Sequence, residues 1–337
     1  MLFKRYFLVG GAGFIGSHFI DALLSQPHIQ QVTIYDNFST GKTWHYQHHT
    51  YDPRLTIVNS DAKDIEQLTQ AMRHHDIAIH LASNSDIAKA VSDPTIDFTN
   101  GFYLTYHVLE AMRLNKIKRI IYTSGSGVYG DVGTLESHED QGPMHPISTY
   151  GASKLAGEAY ISSYCHMFGL TACIFRFGNV VGPRQTHGVG YDFVRNLLKD
   201  PTTLRIMGNG TQSKSYIHID DIIKAVFLTN EKLETRYEVY NVATGDYITV
   251  RDIANIVIQC LNIRNPVNLI FSETDRGWAG DVPIVRLNTN KIRSLGWRCQ
   301  RNSAQAIKES VLAMIEQVKS LPTSLLQREE FRDHAQS

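Results

Sequence analysis

The chain has no net charge, few cysteines, no long apolar run and no internal repeat, and each lack removes a class of function. Lys plus Arg number 33 and Asp plus Glu number 33, a formal balance of zero over 337 residues. Nucleic-acid binders and polybasic membrane-surface proteins carry a basic excess or patch, so neither partner is expected. The four cysteines, Cys165, Cys173, Cys260 and Cys299, are scattered with no C-x-x-C pair. That argues against a disulfide framework or a structural zinc and fits a reducing cytoplasm. No apolar stretch approaches the ~20 residues of a membrane helix. Met1 to Arg5 carries two cations, but the following run ends in Gly10-Gly11 with no small-residue cleavage site, so a first strand is expected and not a signal peptide. His45, His48 and His49 are spaced for a metal if helical, yet no Cys or carboxylate completes a set within the run. A polar loop is expected there, and no metal.

What is present describes a globular chain: 42% apolar and 20% charged, long enough for one large or two ordinary domains. Short apolar runs at 3–9, 31–35, 55–58, 77–81, 119–123 and 171–175 alternate with helical spacing at 14–24, 65–73, 95–114 and 150–168. The alternation predicts an α/β fold, a Rossmann-type doubly wound parallel sheet. Beyond Asn179 glycine and proline become frequent, which predicts a smaller α/β substrate-binding lobe from 179–214 and 246–320. Residues 1–178 would form the Rossmann domain, with a segment at about 215–245 returning to it through a helix at 220–230 and a strand at 239–242. Residues 321–337 form a polar tail. Thr249 to Asp252 has the form of a capping box, with Asp for the usual Glu or Gln, opening a helix at 250–261.

Two motifs carry chemistry. Gly10-Gly11-Ala12-Gly13-Phe14-Ile15-Gly16 lies between a strand and a helix, where glycines allow a tight turn and a pyrophosphate to sit on the helix N-terminus. Asp36 closes the second strand, where a carboxylate bonds an adenosine ribose 2′-hydroxyl and repels a 2′-phosphate. This favours NAD, with Lys42 leaving NADP open. The second motif, Tyr150-Gly151-Ala152-Ser153-Lys154, puts a phenol and an ammonium on one helix face at i, i+4. A phenol titrates near 10 unperturbed. The ammonium and an oxidised nicotinamide would both favour phenolate and make it a base.

Together with Tyr35-Asp36-Asn37, Ser60-Asp61, His80-Leu81-Ala82-Ser83, Asn100, Thr123-Ser124 and Val128-Tyr129-Gly130, these motifs resemble those of extended short-chain dehydrogenases/reductases. The likeness continues through Arg176 to Pro183, Tyr216 to Asp221, Tyr240-Asn241-Val242 and Gly280 to Pro283. It is to the nucleotide-sugar epimerase/dehydratase family, and most to the UDP-glucose (UDP-galactose) 4-epimerases.

The resemblance implies that Tyr150 takes a proton from a sugar hydroxyl while hydride passes to NAD, with Lys154 stabilising the phenolate. It implies NAD contacts from Gly10, Gly13, Phe14, Ile15, Gly16, Asp36, Asn37, Asp61, Ala62, Leu81, Ala82, Ser83, Asn100, Thr123, Tyr150, Lys154 and Phe177, with Lys154 on the nicotinamide ribose. It implies nucleotide-diphosphate sugar contacts from Ser85 and Asn179, with Arg184, Lys214 and Arg276 for the diphosphate; an anionic substrate needs such local cations. A homodimer formed through helices 95–114 and 150–168 is implied as well. Family members place a Ser or Thr where this chain has Gly125, so Ser126 or Ser124 is expected to supply the hydroxyl, Ser126 first. Ser126-Gly127 stand where 4,6-dehydratases carry Asp-Glu, which counts against dehydration. The expected activity is a UDP-hexose-type 4-epimerase. The alternatives are a C4 dehydrogenase releasing the 4-keto sugar, then a 4,6-dehydratase or a non-catalytic NAD sensor.

Overall fold

Seven runs of apolar, β-branched-rich residues pair into one parallel sheet in the computed structural model, which describes residues 3–320. In chain order the strands are β1 (Arg5–Val9), β2 (Gln31–Asp36), β3 (Leu55–Asn59), β4 (Ile77–His80), β5 (Arg119–Gly125), β6 (Thr171–Phe177) and β7 (Tyr237–Val242). Their spatial order is β7-β6-β5-β4-β1-β2-β3. The order reverses between β1 and β4, so a crevice opens at the C-terminal ends of those strands, the usual ligand position in open α/β sheets. Leu81 and Ala82, just past β4, both donate their N–H to the Val9 carbonyl at 2.9 Å, which fixes the floor of that crevice.

Both faces of the sheet are covered, which is why its strands are continuously apolar. Side chains alternate: Tyr6 and Leu8 enter one core, Phe7 and Val9 the other. The first core is closed by α1 (Phe14–Leu24) and α6 (Ile219–Glu231), through Phe19, Ile20, Leu23, Ile222 and Val226. The second is closed by α2 (Ile65–Ala71), α3 (Tyr103–Asn115) and α4 (Thr149–Phe168), through Leu68, Val108, Met112, Ile161 and Cys165. Each fully buried side chain of this kind is worth about 1.5–3 kcal/mol.

A third apolar cluster forms the smaller lobe, from α5 (Val189–Lys199), α7 (Val250–Cys260) and α8 (Ser303–Ser320), with Phe193, Leu197, Ile253, Val257, Ile307 and Val311 buried. Residues 203–206 and 268–271 pair in parallel beside it. The capping box opens α7 as expected: Thr249 accepts from the Asp252 N–H, and Asp252 accepts from the Thr249 N–H.

Three local expectations change. The helix expected over 95–114 is interrupted by a wide π-turn at Phe98–Phe102 before α3 begins. Gly101 in that turn lies so close to α4 that a Cβ would stand 2.6 Å from Ser153 Oγ. β5 runs two residues further than expected because its ladder with β6 continues through Ser124–Arg176 and Gly125–Phe177. Residues 43–49 form two short 3₁₀ turns, and His48 and His49 each pair through Nε2 with Asp21 Oδ1 at 2.8 Å. The carboxylate missing from the histidine run is therefore supplied by α1. The tail at 321–337 lies outside the described residues.

Candidate active site

The Gly-rich turn joins β1 to α1 at the crevice. Gly10 has φ +80°, and a Cβ there would stand 2.6 Å from the Ala82 amide nitrogen. A Cβ on Gly16 would collide with the Gly11 carbonyl. Glycine at both positions lets turn, helix and β4 end close up. Gly13 is the N-cap of α1 and no side chain caps it, so the first-turn N–H groups are left for an anion. Phe14 is buried and Ile15 half-buried, packing the helix start onto the first core.

Asp36 lies beside this cradle, its Oδ2 accepting from the Ala12 N–H (2.9 Å) and its Oδ1 from the Phe38 N–H (2.8 Å). Burial raises its pKa against the pull of those two bonds. Asn37 Nδ2 donates to Asp61 Oδ2 at 3.1 Å. Ala62 is buried, its carbonyl paired with His107 Nδ1. Lys63, not anticipated from the sequence, stands 3.5 Å from Asp61 and donates to Asn100 Oδ1 at 3.4 Å. Uncapped N–H groups, a cradle that side chains would fill and a carboxylate at the second strand end together fit a dinucleotide.

The other motif lies across the crevice. Ser148 Oγ caps α4 by accepting from the Gly151 N–H at 3.0 Å, which starts the helix so that Tyr150 falls in its first turn. One turn on, the buried Lys154 donates through Nζ to the Thr123 carbonyl at 2.8 Å, and Nζ lies 5.6 Å from the Tyr150 ring centre. Thr123 Oγ1 donates to the His80 carbonyl, tying β5 to β4. Burial pushes the Lys154 pKa down to about 8, with Glu158 and Asp97 opposing it. Burial likewise pushes the Tyr150 phenol up to about 12, the Ser83 hydroxyl acting to lower it and the Asp97 charge to raise it. In this pocket burial is the largest influence on the phenol.

The sequence profile of the NAD dependent epimerase/dehydratase family matches residues 6–243. The chain belongs to that family. It is 30% identical over 315 residues to the UDP-glucose 4-epimerase of Mycolicibacterium smegmatis, covering 91% of this chain and 97% of that one. A crystal structure of a UDP-galactose 4-epimerase superposes with a TM-score of 0.82 at 32% identity, over 94% of this chain and 100% of that chain. The dTDP-glucose 4,6-dehydratase of Streptomyces venezuelae, solved with NAD, superposes at 0.84 with 27% identity, over 93% and 97%. Family membership thus spans more than one outcome of the same fold.

Within this epimerase/dehydratase architecture, the remaining site residues divide. Ser124 Oγ turns away from the crevice and donates to Glu158 at 2.5 Å, so it is not the free hydroxyl expected of it. Ser126 is half-buried at the start of a 3₁₀ turn. Phe177 is buried against Phe175 in the first core, and Ser85 is half-buried beyond β4. Asn179 is exposed, anchored through its N–H to the Ser215 carbonyl.

Lys214 and Arg276 meet at Asp281, in the Gly280 to Pro283 motif. Lys214 Nζ pairs with its Oδ1 at 2.5 Å, and Arg276 donates to its carbonyl at 2.6 Å while pairing with Asp131 at 2.5 Å. Arg184 does not join them. Its guanidinium pairs with Asp21 on α1 at 2.5 Å and donates to the His45 carbonyl at 3.1 Å, tying the smaller lobe's approach to the outside of the Rossmann helix.

Glu158 is the other residue missed. It sits one turn beyond Lys154 on α4 and forms a buried pair with Arg176. Its i+4 spacing from Lys154 was the available signal.

Proposed function

We propose that the protein is an NAD-dependent nucleotide-sugar 4-epimerase of the UDP-hexose type. One observation carries the reading: Tyr150 and Lys154 stand on one helix face at the ends of β4 and β5, across the crevice from an uncapped, glycine-lined helix start. Tyr150 takes the proton of the sugar C4 hydroxyl, and Lys154 holds positive charge beside the phenolate. Lys214 and Arg276 bind the diphosphate, and Asn179 the sugar nucleotide. NAD held by the Gly10 to Gly16 turn supplies the hydride acceptor and, when oxidised, a positive charge near the phenol. With burial pushing the phenol's pKa up to about 12, little phenolate is present at neutral pH without further positive charge. Base catalysis therefore depends on added positive charge, which makes Tyr150 active only in the loaded site.

Exposed Phe98, Tyr103, Tyr106 and Tyr160 on the paired helical segments supply an apolar face for a homodimer. Among the described residues no helix is long and apolar enough to cross a membrane, which is compatible with a cytoplasmic enzyme. The test is incubation with NAD and, separately, UDP-glucose, UDP-galactose, their N-acetyl forms and GDP-linked sugars, read by NMR. C4 inversion without net NADH is the expected result. Stoichiometric NADH with a keto product would establish the dehydrogenase instead. Tyr150→Phe should bind NAD and lose turnover; undiminished turnover would sink the mechanism.

A further inference from the structure

The cofactor and sugar sites leave the histidine run at 45–49 unused. The expectation of a polar loop without a metal rests on the lack of a carboxylate within that run. The fold removes the lack. Two successive 3₁₀ turns, Thr43–His45 and Gln47–His49, bring the His48 and His49 rings against α1, where both Nε2 atoms stand 2.8 Å from Asp21 Oδ1. The three ligand atoms lie within 4.8 Å of one another, and the ring centres are 4.2 Å apart. A tetrahedral zinc with bonds of about 2.0–2.1 Å holds its ligand atoms about 3.3 Å apart. The 2.8 Å contacts need to open by only about half an ångström to admit one.

The carboxylate is also held in place from behind. Arg184 pairs with its other oxygen, Oδ2, at 2.5 Å, and the same guanidinium donates to the His45 carbonyl at 3.1 Å. It fixes the carboxylate and the histidine run relative to each other, as hydrogen-bonded partners behind metal ligands do. Oδ1 meets only the two imidazoles, and each ring can carry its proton on Nδ1 and present Nε2 as a lone pair. Side-chain exposures of 48% for His48, 22% for His49 and 36% for Asp21 leave an entry path and room for water as a fourth ligand.

We propose that Asp21, His48 and His49 form a binding site for one divalent transition-metal ion of the zinc class. Two imidazoles with one carboxylate suit such an ion, whereas Ca²⁺ and Mg²⁺ take shells of oxygen. The site is a clasp and not a catalytic centre. Asp21 lies about two turns along α1 from the Gly13 cap, roughly 12 Å from the helix start that faces the crevice. The ion ties the loop after β2 to α1. It thereby steadies His45, whose Nδ1 bonds the Ala12 carbonyl of the Gly-rich turn at 2.7 Å. The inference is independent of the nucleotide-sugar reading, and its test needs no turnover.

The experiment titrates Zn²⁺ into the untagged full chain in a calorimeter, after a chelator has removed any bound metal. One ion per chain is expected to bind saturably. His48→Gln/His49→Gln, which changes two side chains on surface turns, should weaken binding at least about 100-fold, beyond the ~10–100-fold that follows loss of a partner behind the ligands. Its melt without zinc should match wild type, which shows that the fold is intact. Zinc should raise the wild-type Tm and leave the double variant's unchanged, because the ion stabilises only the state that binds it. X-ray absorption of the zinc-loaded protein should show nitrogen and oxygen neighbours at about 2.0–2.1 Å with imidazole scattering behind them. Wild-type binding weaker than about 1 mM, or a double variant that binds within about threefold of wild type, overturns the site. So does a sulfur neighbour at about 2.3 Å, which would place the ion on a cysteine. A wild-type Tm unmoved by saturating zinc overturns the clasp.

Discussion

Replacing Glu158 by Gln should destabilise the protein far more than its distance from solvent chemistry suggests. Glu158 and Arg176 are each 3% exposed. Arg176 donates through Nε and Nη2 to the carboxylate at 3.0 and 2.6 Å, and Ser124 adds a third bond at 2.5 Å. The remaining guanidinium nitrogen donates to the Tyr129 hydroxyl (2.8 Å) and the Glu139 carbonyl (3.0 Å). Glutamine keeps the volume and one acceptor oxygen but removes the charge. Arginine does not neutralise itself by losing a proton, and here Glu158 holds its pKa above the ordinary value against burial.

The variant therefore leaves a buried cation without its counter-charge, a loss of about 3–5 kcal/mol. At about 2–4 °C per kcal/mol for somewhat smaller domains, Tm should fall by roughly 6–20 °C in a circular-dichroism melt at neutral pH. Glu158→Leu/Arg176→Met removes both charges and should melt much closer to wild type than the single change. A Glu158→Gln protein melting within about 2 °C of wild type would refute the argument. The same carboxylate raises the Lys154 pKa, so the variant's Lys154 should also lose its proton at lower pH.

Two further outcomes follow from burial and backbone geometry. Lys154→Met should abolish turnover yet raise Tm at pH 7, because a buried ammonium is costly. The lysine's folded pKa of about 8 lies below the ordinary 10.5, so the cost is fully present below pH 8 and fades as pH rises towards 10.5. The Tm difference between variant and wild type should therefore shrink over that window, and a gap that widens with pH contradicts it. Gly10→Ala combines a positive φ with a 2.6 Å approach to the Ala82 nitrogen. It should lower Tm and weaken NAD binding together, measured by calorimetric titration; unchanged affinity would mean that the turn does not cradle the cofactor.

Cofactor chemistry was legible because it is local. Gly10 to Gly16, Asp36 and the Tyr150–Lys154 spacing are each fixed by one strand end or one helix turn, so a linear pattern determines their geometry. Residues whose direction depends on distant partners were not. Arg184 is placed by Asp21, 163 positions away, and Lys214 by Asp281, 67 positions away. The choice among serines turned on strand length. With β5 ending at 123, Ser124 belongs to a loop free to face the crevice. With the ladder carried to Gly125, Ser124 stands opposite Arg176 and the side chain goes to Glu158, leaving Gly125 opposite Phe177 with open space at its Cβ. Two residues of extra pairing thus commit Ser124 to the helix behind the strand and leave Ser126, at the start of the 3₁₀ turn that follows, as the next hydroxyl along the chain.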